Sequence, residues 1–275
     1  MAGLIVLTAH PGLRTPRRLV DAGRDLGVDV RLVHPAEAGA ARRVAGARLL
    51  ARPGTFSLLS VLRAHRRLAA AGAAPLQPRR ALIAACDQWR TLVRAAAAGL
   101  RVPATLLVRR PSELAAALAR VPGPPWFVKG RRGSQGTQVL LAATRDEAVR
   151  AGHLFWGIGA SCLVQEDLRP RGRIERHLVV GGRLLASAVA RPAPGEFRSN
   201  VHRGGRLVPV GPGSARAVPL AVAAVSVLGL PFAAVDAVGA RDPLLIEVNA
   251  SPGLHALERS TGRDLARELL GALLR

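Results

Sequence analysis

Tyrosine is absent from this 275-residue chain, and lysine, methionine, asparagine and cysteine are nearly so. Lys129 is the only lysine, Met1 the only methionine, and Asn200 and Asn249 the only asparagines. The two cysteines, Cys86 and Cys162, lie far apart and match no C-x-x-C spacing. With no signal peptide expected, that predicts a reduced, cytoplasmic protein without a disulfide framework. The apolar start Leu4–Leu7 is too short for a signal h-region and lacks a basic n-region. Residues 217–235 carry no charge for nineteen positions, but Gly229 and Pro231 divide the run. A buried helix followed by a strand is expected there, not a membrane span. Asn249-Ala-Ser251 matches a glycosylation sequon, which has no meaning without secretion.

Apolar residues make up 49% of the chain and charged ones 21%, which predicts a globular protein with a real core. Basic residues outnumber acidic ones 40 to 18, a formal charge of +22. This balance excludes an ordinary acidic surface and points to acidic substrates or nucleic acid. The arginines are scattered rather than clustered, so GC-rich codon usage explains them better than nucleic-acid binding does. Against that background, the surviving lysine and asparagines are the first residues to weigh.

The first eighty residues alternate strand and helix: strands at Leu4–Thr8, Val28–Val33 and Arg48–Ala51, helices from Thr15 to Leu26 and from Ser57 to Ala71. Thr15-Pro16 reads as an N-cap with proline at the first helical position. The pattern predicts a Rossmann-like domain over residues 1–86, but His10-Pro11-Gly12-Leu13 is not G-x-G-x-x-G, so no dinucleotide site is expected there. Residues 75–86 read as a joint. Beyond it come a helix from Asp87 to Ala98, strands at Val102–Val108, Trp126–Lys129, Val139–Ala142 and Cys162–Gln165, and a hairpin turning on Gly181-Gly182. Strands at Phe232–Asp236 and Leu244–Val248 and a helix near Asp264–Leu274 complete the chain. His10, His34, His65 and His153 lack metal spacing, and Trp89, Trp126 and Trp156 read as core.

Three groups of residues carry chemistry. Lys129 ends an apolar strand and precedes Gly130-Arg-Arg-Gly-Ser-Gln-Gly136. Glycines let backbone N–H groups approach phosphate oxygens, and a lysine at the loop base adds a point charge. An exposed lysine before a flexible turn is the alternative. Asp236, Glu247 and Asn249 form the second group. The last two are two apart on a strand and share a face. Two carboxylates and an amide oxygen suit Mg²⁺ held together with substrate phosphates. A polar strand edge is the alternative, but Glu247 and Asn249 sit in an otherwise apolar run, where an acid needs a partner. The third group is Arg191 with Phe197-Arg-Ser-Asn-Val-His-Arg-Gly-Gly205, which combines forked cations, an asparagine and glycines suited to phosphate or carboxylate.

Val164-Gln-Glu166, Glu196-Phe-Arg-Ser-Asn-Val-His-Arg-Gly-Gly205 and Ile246-Glu-Val-Asn-Ala-Ser-Pro-Gly-Leu254 closely resemble ATP-grasp ligases of the RimK type, which include ribosomal-protein glutamate ligases. The likeness is strongest from Asp87 onward. It implies an α/β and α+β chain: the Rossmann-like domain, then an ATP-grasp fold over 87–275 of two α+β subdomains, a central lid at about 103–165 and a catalytic subdomain at about 166–275. It implies that ATP and Mg²⁺ (two ions, with Mn²⁺ as an alternative) serve to activate a carboxylate as an acyl phosphate, which an amine attacks. Carried over, Lys129 would hold ATP phosphates, Gln135 and Gly136 would close over them, and Glu166 would meet the adenine amino group. Arg198, Ser199 and Asn200 would sit at the triphosphate, with Arg198 also catalytic. Arg191 would steady the acyl phosphate, and Asp236, Glu247 and Asn249 would bind metal. His202, inside the motif, would approach ligand.

Three positions depart from the family pattern. Gln88 stands where a lysine is usual, Ile174 where an aspartate near the ribose is expected, and Asp167 where an apolar residue flanks adenine. Glu175, next to Ile174, could serve the ribose. The expected partners are an amino acid such as glutamate and an amine or peptide acceptor, including an acidic protein tail, with neither membrane nor nucleic acid, in a chain that related ligases imply is a homo-oligomer. The competing readings are a degenerate homologue that binds a ligand or partner without ligation, and an arginine-rich nucleic-acid binder whose binding would weaken steeply with salt.

Overall fold

The computed structural model describes residues 3–54, 57–133, 138–197, 204–210, 216–239 and 241–275. The chain opens with β1 (Leu4–Thr8), α1 (Arg14–Asp25), β2 (Val30–Val33), β3 (Arg48–Arg52), α2 (Leu58–Ala70) and the short β4 (Ala74–Pro75). The four strands form a parallel sheet in the order β2-β1-β3-β4. Every residue of β1 is buried. A parallel strand covered on both faces needs such a continuous apolar run rather than alternation.

Two local expectations are corrected here. Helix α1 starts at Arg14 with no side-chain cap. Thr15 is buried in the first turn, and its hydroxyl accepts the backbone N–H of Leu254 at 3.1 Å instead. Residues 75–86, expected as a joint, contain α3 (Arg79–Ala85), which buries Ala81, Leu82 and Ala84. Pro78 stands just before that helix, where proline is tolerated. Next comes α4 (Gln88–Ala97), whose N-cap Asp87 accepts the Arg90 N–H at 3.1 Å.

The second sheet is antiparallel, built from β5 (Thr105–Val108), β6 (Trp126–Gly130), β7 (Val139–Ala142) and β8 (Cys162–Glu166) in the order β5-β8-β6-β7. Helices α5 (Leu114–Arg120) and α6 (Arg145–Trp156) cover it, around a core that includes Leu118, Trp126, Val128, Phe155 and Val164.

The third sheet contains β9 (Ile174–Val180), β10 (Arg183–Arg191), β11 (Arg206–Pro209), β12 (Phe232–Val238) and β13 (Leu244–Asn249). It is antiparallel, in the order β11-β10-β9-β12-β13. The two-residue turn between β9 and β10 places Gly181 at φ 55° and Gly182 at φ 72°. Consecutive positive φ values fit the twist of a hairpin and exclude most side chains. Helix α7 (Ala217–Leu228) ends at Gly229 in the left-handed region, and β12 follows directly. The uncharged run is thus a helix and a strand, and among the described residues no helix is long and apolar enough to cross a membrane. Helices α8 (His255–Thr261) and α9 (Leu265–Leu274) close the chain.

The first and third sheets share their cores. One cluster joins Leu4, Leu19 and Leu50 to Leu178, Phe232 and Leu269. Another joins Leu49, Val61 and Leu82 to Val179, Val235 and Leu245. Between the second and third sheets lies a smaller apolar layer of Phe127, Leu168, Val238 and Leu244.

Candidate active site

Strand register assembles the centre of the site. On β12, Asp236 lies directly opposite Arg176 of β9 on one side and Glu247 of β13 on the other. Residues directly opposite in an antiparallel sheet project to the same face, so the three form one charged row. Arg176 donates from Nε to Asp236 Oδ1 at 2.7 Å and from Nη2 to Oδ2 at 2.6 Å. Asp236 raises the Arg176 guanidinium above its ordinary value despite burial. Burial and then Asp236 push the Glu247 carboxyl up, while Arg176 and Lys129 oppose them. Asn249, two residues on, shares that face, and its Oδ1 accepts the Ser251 N–H at 2.8 Å.

A register shift after Asp236 leaves Ile246 as an extra residue on β13. Such a bulge re-aims its neighbours. Gln88 Nε2 donates to the Ile246 carbonyl at 3.2 Å. Gln88 is therefore tied to the strand that carries Glu247.

Lys129 faces this row from the second sheet. It is only 5% exposed, and its Nζ donates to Gln165 Oε1 at 2.7 Å. Gln165 Nε2 in turn donates to Thr105 Oγ1 at 2.7 Å. Burial lowers the Lys129 ammonium to about 8, and the Glu247 charge opposes that. Ile174 packs with Phe127 and Leu168 in the apolar layer beside the row, where Phe127 also stacks on Phe197 at 5.8 Å. Asp87, fully buried, pairs with Arg131 at 2.7 Å, and the Gln88 N–H donates to the Arg131 carbonyl at 3.0 Å. The base of the glycine-rich loop is thereby anchored to the start of α4.

The other expected residues distribute unevenly. Glu166 accepts the Ala104 N–H through Oε1 at 2.7 Å and lies 3.5 Å from Arg171. Asp167 is clasped by Arg169, with Nη2 to Oδ2 at 2.9 Å. Burial pushes the Asp167 carboxyl up, but the Arg169 bonds outweigh it and hold it below its usual value. Glu175 does not join the row. Alternation turns it to the opposite face of β9 from Arg176, where it accepts Arg173 Nε at 2.8 Å and lies 3.6 Å from His177 Nε2. Arg191 does not join it either. Ala188 and Ala190 share the face of Arg176 and Ile174, so Arg191 falls on the other. It sits opposite Arg206 and lines an open cleft of about 670 Å³ with Glu196. Gln135, Gly136, Arg198, Ser199, Asn200 and His202 lie outside the described residues. His65 is buried against the Gln77 carbonyl, as a structural histidine would be.

Among the described residues, no three His, Cys, Asp or Glu side chains gather as a metal cluster. The row supplies two carboxylates and one amide oxygen. This donor set fits Mg²⁺. Two carboxylates directly opposite one another repel, a buried one resists ionising alone, and a hard divalent cation relieves both. Sequence reasoning missed Arg176 and Gln165. The sequence places Arg176 in the charged strand segment Ile174-Glu-Arg-His-Leu178, but only the pairing with β12 shows which of those charges faces Asp236.

The match to the RimK-like ATP-grasp domain family covers residues 85–273. Over 287 aligned residues the chain is 34% identical to a probable alpha-L-glutamate ligase 1 of Shewanella amazonensis, covering 97% of this chain and 93% of that one. Its fold matches a RimK domain ATP-grasp protein from Sphaerobacter thermophilus with TM-score 0.76 at 20% identity, over 99% of this chain and 100% of the other. It also matches the ATP-grasp ligase PsnB, solved with a minimal precursor, Mg and ADP, with TM-score 0.70 at 18% identity, over 98% and 97% of the two chains. The chain belongs to the RimK-like ATP-grasp family and is a ligase.

Proposed function

We propose that this chain joins a carboxylate to an amine at the expense of ATP, with Mg²⁺ bound by Asp236, Glu247 and Asn249. The observation that carries this is the Arg176–Asp236–Glu247 row, faced by the buried Lys129 of another sheet. In the reaction, a carboxylate oxygen of the acid attacks the γ-phosphorus and the bond to the β–γ bridging oxygen breaks, releasing ADP. The amine then attacks the acyl carbon, phosphate leaves, and the amine proton passes to solvent. No side chain needs to act as nucleophile. Charge neutralisation and alignment carry the barrier.

Lys129, steadied by Gln165, would meet the phosphates as a fixed cation. Arg176 would hold Asp236 in place. Bound metal would neutralise phosphate oxygens as charge moves to ADP. Glu166 and the apolar layer of Phe127, Leu168 and Ile174 would take the adenine end. Gln135, Gly136, Arg198, Ser199 and Asn200 would complete the phosphate site, as the family pattern implies. Arg191, turned away from the row, is not assigned to the acyl phosphate. The added unit is an amino acid such as glutamate, which the likeness to a probable glutamate ligase supports. The free thiols of Cys86 and Cys162 suit a reducing compartment.

The test is calorimetry of ATP binding with and without Mg²⁺, followed by ADP release with glutamate and candidate acceptors. Lys129→Ala is expected to weaken nucleotide binding. Glu247→Gln is expected to abolish Mg²⁺-dependent turnover with the fold intact. Full activity in Glu247→Gln would remove the metal assignment.

A further inference from the structure

Arg52 ends β3 of the first sheet, far in sequence from the acid row. It is only 8% exposed, in a chain whose arginines are mostly at the surface. Its Nη2 donates to the Ser251 carbonyl at 3.2 Å and to the Pro252 carbonyl at 2.8 Å. The Ser251 N–H in turn donates to Asn249 Oδ1 at 2.8 Å. One residue from each of two sheets is thus linked through a single peptide segment. Burying a guanidinium is costly unless its N–H groups find acceptors, and for Nη2 the Ser251 and Pro252 carbonyls are those acceptors. What it fixes is the segment that turns the Asn249 amide. An amide oxygen has two lone pairs, so accepting the Ser251 N–H leaves one for another partner and sets its direction.

We infer that Arg52 is a positioning residue of the nucleotide–metal site: by clamping Ser251 and Pro252 it aims Asn249 Oδ1 at the cation. The inference rests on the assignment of Asn249 as a metal ligand. The first sheet is then part of the catalytic apparatus and not only a neighbouring layer. Groups hydrogen-bonded directly to metal ligands change metal affinity by roughly 10–100-fold when removed, and Arg52, one hydrogen bond further out, is expected at the low end of that range.

Thr15 provides the internal control. Its hydroxyl accepts the Leu254 N–H, so it ties the same loop to the first domain but lies beyond the Ser251–Asn249 link. A purely structural clamp would make Thr15 and Arg52 equivalent. The experiment measures Mn²⁺ binding to the full chain with ADP, by electron paramagnetic resonance, and ADP binding without metal, by calorimetry. The proteins are wild type, Arg52→Gln, Arg52→Lys, Thr15→Val and Asn249→Ala, each checked for cooperative unfolding. Arg52→Gln is expected to weaken Mn²⁺ about tenfold, with metal-free ADP binding unchanged. Arg52→Lys should recover part of the loss, and Thr15→Val should bind Mn²⁺ as wild type does. Equal Mn²⁺ affinity in Arg52→Gln and wild type, or equal losses in Arg52→Gln and Thr15→Val, would overturn the inference while leaving the metal site standing. Unchanged Mn²⁺ binding in Asn249→Ala would instead remove the ligand assignment, and the inference with it.

Discussion

At the residue scale, Lys129 concentrates the most consequence in one side chain. Burial lowers its ammonium to about 8. In the free protein it therefore loses its proton as pH rises through that value. If Lys129 meets the phosphates as proposed, it must be charged there, so above pH 8 nucleotide binding would be accompanied by proton uptake. Affinity for ADP is then expected to be level below about pH 7 and to fall as pH rises past 8, approaching about tenfold per pH unit. Calorimetry between pH 6.5 and 9.5 checks this. Lys129→Met should bind weakly and without that slope, and an identical slope in Lys129→Met would assign the titration elsewhere. Composition singled this lysine out because it is alone. The same reasoning could not find Arg52, one of 39 arginines, because its distinction is burial and not identity. Nor could it tell that Glu175 and Arg191 turn away from the row, since parity relative to a partner strand is set by pairing and bulges.

At the scale of elements, the site depends on how β13 is bent. The sequence pattern Leu244-Leu-Ile-Glu-Val-Asn249 reveals a strand with two polar residues on one face. It does not reveal the bulge at Ile246 that lets Glu247 sit opposite Asp236 while Leu245 stays in the core opposite Ala237. Gln88, which stands where the family usually has a lysine, supports that bulge through the Ile246 carbonyl. Gln88→Ala should therefore destabilise the protein by about 1 kcal/mol, the usual net worth of such a hydrogen bond. Urea unfolding measures it, and an unchanged midpoint would show that the bulge holds itself. Most elements were legible because their apolar runs and breakers are strong: β1 matches its expected limits, and α7 stops at Gly229. Helix α3 was missed because Pro75 and Pro78 before it and the two arginines that open it read as punctuation, and two of the three side chains it buries are alanines.

At the scale of the molecule, the distribution of cores decides what moves. The first and third sheets are joined by two large clusters, in which Leu4 and Leu50 meet Phe232 and Leu269, and Leu49 and Leu82 meet Val235 and Leu245. The second sheet has its own core around Trp126, Val128 and Phe155, and among the described residues it meets the third through the smaller layer of Phe127, Leu168, Val238 and Leu244, with Leu141, Ile174 and Ile246 packed on it. Cooperative units follow buried contacts, not position in the sequence. The first eighty residues and the last hundred should thus open together, although the sequence separates them, while β5–β8 open on their own at lower cost. Lys129 and Gln165 belong to that weaker unit, and Asp236 and Glu247 to the stronger one, so a nucleotide held by both sets would bridge the joint. Native-state hydrogen exchange tests this. Amides of β1, β3, β9 and β12 should share one opening free energy and one denaturant dependence, with β6 and β8 exchanging through a smaller opening that ADP with Mg²⁺ suppresses. A β6 that exchanges only with β9 and β12, with or without nucleotide, would mean that the smaller apolar layer is enough to fuse the two sheets into one cooperative body.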